Sequence, residues 1–165
     1  HRSTQNGRYS RRACVEKIYF NEDGTINETE MTSQGASDPI DAFGIIDASV
    51  ACRLKGNGYI RPDTEGINGE ILTGFGGGSW AQDWAEYKYI NFGAGADSAV
   101  IKARGTGTIS LYLGDCNTIG SVRVDCKDWK EYTLPVKRTQ GVNPLWILFD
   151  GKYMDLAYFC FRKAE

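Results

Sequence analysis

The residues that could do chemistry are few, and their types narrow it. The only histidine is His1, at the terminus. That leaves no internal imidazole to activate a serine or cysteine, and no multi-histidine metal site. The glycine run Gly74–Gly78 is not followed by Lys-Ser/Thr and does not open a helix, so it is not a phosphate loop. Carboxylates are plentiful, and a glycosidase needs only two flanking the bond, but spacing singles out no pair. The five cysteines, Cys14, Cys52, Cys116, Cys126 and Cys160, form no CxxC, which argues against a zinc knuckle. Cys116 and Cys126 flank a candidate hairpin and could face one another across it. The other reading is free thiols acting as small buried hydrophobes. Counting leaves the redox compartment open.

Trp129 stands out instead, on a polar turn beside Asp128 and Lys130 whose neighbours suit an exposed platform. The other reading is a core anchor at the start of a strand. Trp84, Tyr87, Tyr89, Trp146 and Phe149 sit inside alternating strands, where core packing is the expectation.

The elements that position these rings read as strands. Candidates are 46–54, 70–75, 84–92, 98–104, 108–113, 122–126, 132–136, 145–149 and 156–161. In 108–113, Ile109, Leu111 and Leu113 share one face, opposite Ser110 and Tyr112. No amphipathic helix of about ten residues intervenes. The expected fold is all-β: an antiparallel β-sandwich, jelly-roll-like, over residues 44–165. Residues 35–43, with Gly35, Ser37 and Pro39, read as a linker. Residues 1–34 read as an extra N-terminal β-hairpin, with 15–20 and 25–31 as strands around the turn Asn21-Glu22-Asp23-Gly24. A lone hairpin is marginal in water and must dock on something.

Composition agrees. Twenty glycines, four prolines and 12% aromatic residues suit short strands and tight turns. A net charge of -2 with one local basic knot, Arg8, Arg11 and Arg12, offers no electrostatic footprint for nucleic acid. No apolar run approaches the ~18 residues of a membrane span. The chain begins at His1 without a signal peptide, which reads as a piece of a longer protein whose export signal lies upstream.

Four segments in order resemble carbohydrate-binding module family 6. Residues 83–93, DWAEYKYINFG, are similar to its "GDW-x-x-Y-x-x-V-x-F" strand. Residues 98–104 and 107–113 are similar to its "a-R-v-A-s-G…G-x-I-x-L-x-L" pair. Asp128-Trp129-Lys130-Glu131-Tyr132 resembles "G-W-q-x-W". Residues 145–149 with 155–161 resemble "L-x-L-x-F…N-x-D-W-F-x-F". Residues 9–35 resemble the end of a glycoside hydrolase family 43 catalytic domain, whose catalytic carboxylates would lie upstream.

The resemblance implies a non-catalytic β-sandwich that binds plant cell-wall polysaccharide or oligosaccharide, xylan or arabinoxylan first. Its partner would be an upstream glycoside hydrolase domain, in an exported enzyme, extracellular or periplasmic. The alternative it leaves is a structural domain that buttresses the hydrolase and binds little. In the family, two aromatics sandwich a sugar at the loop edge and a polar residue near the last strand bonds its hydroxyls. Those positions fall on Trp129, on Phe75 or Trp80, and on Asp155, where the family has Asn. The family's structural Ca2+ uses three acids. Here they reduce to Asp47, with Ser49 and Ala157 at the other two positions. No cofactor is expected to be required, and that calcium site is expected to be degraded.

Overall fold

The computed structural model describes residues 15–29, 32, 34–76, 83–114 and 117–164. Nine strands carry the fold. They are β1 (Ile40–Asp41), β2 (Ile46–Asp47), β3 (Arg53–Lys55), β4 (Tyr59–Asp63), β5 (Gly69–Gly74), β6 (Asp83–Asn91), β7 (Ala96–Leu113), β8 (Asn117–Thr139) and β9 (Val142–Lys163). A short 3-10 turn, Ala48–Val50, is the only helical element among the described residues. Among the described residues no helix is long and apolar enough to cross a membrane.

β9 is the spine. It pairs with β7 along its length, and β8 pairs with the other edge of β7. On its other side, residues 142–149 of β9 pair with β6, and the later residues pair with β5 and β2. A straight strand from Leu145 to Phe159 would span about 45 Å. Yet Tyr87, in register with Leu145, packs its ring edge-on to Phe159 at 4.9 Å. The ribbon therefore folds over on itself, and its two halves become the two layers of a sandwich.

The bend has a local cause. Gly105 adopts φ +118°, and a Cβ there would lie 2.1 Å from the Tyr153 carbonyl oxygen. Glycine alone tolerates both the angle and the approach. The β7–β9 register slips between Thr106 and Gly107, at the same place. The glycines that read as turns between separate strands thus bend continuous ones. Segments 98–104 and 108–113 are both β7, 122–126 and 132–136 are both β8, and 145–149 and 156–161 are both β9. Cys126 accordingly lies mid-strand opposite Gly105 and is a free thiol, as is Cys160, while Cys116 lies outside the described residues.

Between the layers lie Tyr87, Phe92, Phe149, Phe159, Phe161, Ile101, Ile109 and Leu111, all fully buried. The Tyr87 hydroxyl satisfies itself by donating to the Ala48 carbonyl at 2.7 Å. Three of the expected core aromatics lie elsewhere. Trp84 and Trp146 stack on each other on the outer face at 5.2 Å, and Arg53 covers the other side of Trp84. Tyr89 is turned outward at φ +58°, where the β6–β9 register shifts between Tyr87 and Ile90. A bulge moves one residue to the opposite face, which alternation cannot anticipate.

Of the stretch expected as linker, Ile40–Asp41 joins the sheet in parallel with β6. Of the N-terminal hairpin, the described residues show one bridge, Phe20 to Ile26, around the turn at Asn21–Gly24. Glu16 accepts from Thr32 within this segment, and Lys17 pairs with Asp38 in the stretch that follows it.

Candidate functional site

One edge of the sandwich gathers side chains from β4, β5, β7, β8 and β9. Register explains the gathering. Asp155 on β9 lies opposite Thr73 on β5 and Arg104 on β7, and β4 brings Arg61 alongside. Side chains at such cross-strand positions share a face.

Asp155 has no exposed surface. Its Oδ1 accepts from the Thr73 hydroxyl at 2.7 Å. Its Oδ2 accepts from Arg61 Nη2 and from Arg104 Nε, both at 2.8 Å. A buried carboxylate persists only when paired in this way. Asp155 therefore meets protein on every side, and what it contributes to the edge is the placement of two guanidiniums. Arg104 continues outward, donating to Asp63 and Glu65 at 3.2 Å each. Burial works against ionisation of Asp63, but the Ile67 N–H and the Arg104 charge outweigh it, so its pKa lies below the ordinary value.

Trp129 lies beside this network, with the Arg104 guanidinium over its ring at 4.6 Å. The cation holds the indole through one face. Phe75 follows the end of β5. Its N–H donates to buried Asp83, whose other oxygen accepts from the Asn57 N–H, so one carboxylate ties the Phe75 backbone to the β3–β4 turn. The Phe75 ring stacks with Tyr59 at 6.3 Å and meets Tyr153 edge-on at 5.5 Å. Trp80 lies outside the described residues.

The structure thus brings Phe75, Trp129 and Asp155 to one edge, with Asp155 beneath it. It adds Tyr59, Arg61, Arg104 and Tyr153, which sequence reasoning missed. Period-two alternation carried a signal for two of them. Tyr153 shares a face with Asp155, and Tyr59 shares one with Arg61.

The donor set does not fit calcium. Asp47 is exposed at the end of β2, and Ala157 is buried with no side-chain oxygen. No group of three His, Cys, Asp or Glu side chains could hold a metal ion among the described residues.

Further along the same layer, Tyr158 donates a short hydrogen bond to Glu131. That bond first, and burial second, push the Tyr158 phenol up to about 12. A folded pKa above the unfolded 10.0 means the neutral phenol contributes stability fully below about pH 10, and that contribution is lost as pH rises toward 12. In a near-ultraviolet titration Tyr158 should ionise late, as should Tyr132 and the buried Tyr87, and Glu131→Gln should remove one tyrosine from that late group. If Glu131→Gln leaves the number of late tyrosines unchanged, Glu131 is not the cause of the Tyr158 shift.

A two-layer sandwich that gathers rings and paired charges on one edge has the form of a recognition module. The description "Carbohydrate binding module (family 6)" matches residues 51–163, and the chain belongs to that family. A xylosidase/arabinosidase from Thermoclostridium stercorarium is 27% identical over 92% of this chain and 36% of its own length. Among solved structures, a family 43 arabinoxylan arabinofuranohydrolase from Bacillus subtilis, in complex with cellotetraose, matches with TM-score 0.68 and 22% identity. That match covers 90% of this chain and 33% of that one. A family 6 module from Clostridium stercorarium, in complex with cellobiose, matches with TM-score 0.68 and 20% identity over 78% of this chain and all of that one. The chain thus spans about a third of the multidomain relatives and the full length of the isolated module.

Proposed function

We propose that the chain binds plant cell-wall polysaccharide, xylan or arabinoxylan first, and holds a linked glycoside hydrolase at its substrate. The observation that carries this is the edge where Tyr59, Phe75 and Tyr153 form one aromatic row and Trp129 stands beyond the arginine pair. Sugar rings have apolar faces to stack and hydroxyl rims to bond, and this edge supplies both kinds of partner. The names of the multidomain relatives support xylan-derived ligands. Tethering would raise the effective substrate concentration seen by the linked enzyme. We propose that the module works with that enzyme on polymer outside the cytoplasm, extracellular or periplasmic.

Residues 1–34 fit the end of the upstream catalytic domain. Val15, Ile18, Tyr19, Phe20 and Ile26 are each more than half exposed, an apolar set that a neighbouring domain would cover. The same observation favours the second reading, a buttress for the hydrolase.

Affinity electrophoresis against xylan, arabinoxylan, β-glucan and cellulose tests the first reading. Retardation on a xylan is expected, unchanged by EDTA because the donor set does not fit calcium. Migration unaltered by every polysaccharide would leave the buttress. In that case deleting the module from the longer enzyme should lower its melting temperature without changing its retention on xylan.

A further inference from the structure

We infer that Arg61 is the ligand-directed hydrogen-bond donor of this edge, aimed by Asp155, and that the site it serves takes an uncharged sugar. The inference rests on the carbohydrate-binding reading of the edge and names both the polar contact and the ligand's charge.

The position where the family places a sugar-bonding side chain is Asp155, and Asp155 is fully buried. The polar group that reaches the surface above it is Arg61, whose side chain is 24% exposed. A guanidinium has five N–H donors. The Arg61 Nε donor goes to Thr73 at 3.0 Å, and the Nη2 pair goes to the Tyr153 hydroxyl and to Asp155, both at 2.8 Å. Nη1 has one long bond, to the Pro62 carbonyl at 3.3 Å, and lies 4.0 Å from Asp63. One N–H of Nη1 thus has no acceptor among the described residues, on a guanidinium whose other donors lock it in place. Tyr153, 39% exposed, adjoins it and packs against Phe75, so the spare donor lies beside an aromatic surface.

The same accounting decides the ligand's charge. A carboxylate prefers the two-pronged fork of an arginine, and Arg61 has no free fork. Nor does the arginine network itself carry spare positive charge. Arg61 and Arg104 face Asp63, Asp155 and Glu65, two cations against three anions. Glu65 is the exposed member, with 74% of its side chain in water. A uronic acid would meet that carboxylate first. A neutral hydroxyl or ring oxygen needs one donor and suffers no repulsion.

Calorimetric titration of the full chain tests this with three probes: xylohexaose, cellohexaose and a xylo-oligosaccharide bearing glucuronic acid. The wild type should bind at least one neutral probe, and the acidic one no more tightly. Arg61→Lys keeps the counter-charge of Asp155 and should melt with the wild type. It lacks the outward Nη1 donor, so its affinity for the neutral probe should fall about tenfold, as for loss of one charge-assisted hydrogen bond. The Arg61 Nε–H resonance of the wild type should also shift on saturation, which requires no variant. A folded Arg61→Lys that binds as tightly as wild type would overturn the inference. So would an unmoved resonance at saturation, or tighter binding of the acidic probe. Each of these leaves the carbohydrate-binding reading standing, whereas heat-silent titrations and unmoved spectra with all three probes sink both.

Discussion

Asp155→Ala should destabilise the module by about 3 kcal/mol, the low end of the cost of breaking a buried ion pair. The carboxylate takes two guanidinium hydrogen bonds and one hydroxyl, and it is sealed from water. Removing it leaves Arg61 and Arg104 facing each other across a cavity. Each has some exposed surface, so both can swing partly into water, which keeps the cost from the top of the range. Asp155→Asn should cost less, because one amide oxygen can still accept. Its oxygen can take the place of Oδ2 and accept from both arginines, and its nitrogen would face the Thr73 hydroxyl, which can turn to accept, so what is lost is the counter-charge. Urea unfolding of the three proteins measures the series. A loss under about 1 kcal/mol for Asp155→Ala would mean the network is held by Asp63 rather than by Asp155.

Phe159→Ala should cost more, about 3–5 kcal/mol. Phe159 is fully buried where the folded-over ribbon closes on itself, edge-on to Tyr87 at 4.9 Å and to Phe161 at 6.3 Å. Its loss opens a cavity between two layers that cannot easily approach, because β7 and β9 are hydrogen-bonded along their lengths. Trp84→Ala is the control. Its place inside an alternating strand reads as core, but it lies on the outer face between Arg53 and Trp146. It should lose a ring stack of about 0.5–1.5 kcal/mol plus some shielded apolar area, and should leave no sealed cavity. If Trp84→Ala proves as costly as Phe159→Ala, the outer-face stack braces the sandwich as firmly as the interior does.

The sequence by itself determined the all-β class, most strand positions and the family. Those are local or ordered-in-line properties: alternation, turn residues, and four motifs in the right sequence. The resemblance to the family also pointed to Phe75 and Trp129 as ring positions, although Trp129 lies within β8 and not in a turn. Strand continuity was decided by tertiary structure. Gly105 and Gly107 read as the end of one strand and the start of another, yet pairing with β9 carries β7 straight through them. Tyr89 was decided the same way, by a bulge that appears only once β6 pairs with β9.

The polar centre of the site was the least legible part. Asp155, Arg61 and Arg104 stand far apart in the chain and meet because β4, β5, β9 and β7 lie side by side. A one-dimensional pattern shows that Asp155 lies near the last strand. It does not show that two arginines from other strands arrive over the carboxylate and seal it from water. Charge pairing at a distance depends on sheet order, and sheet order is settled by long-range burial rather than by any local run of residues.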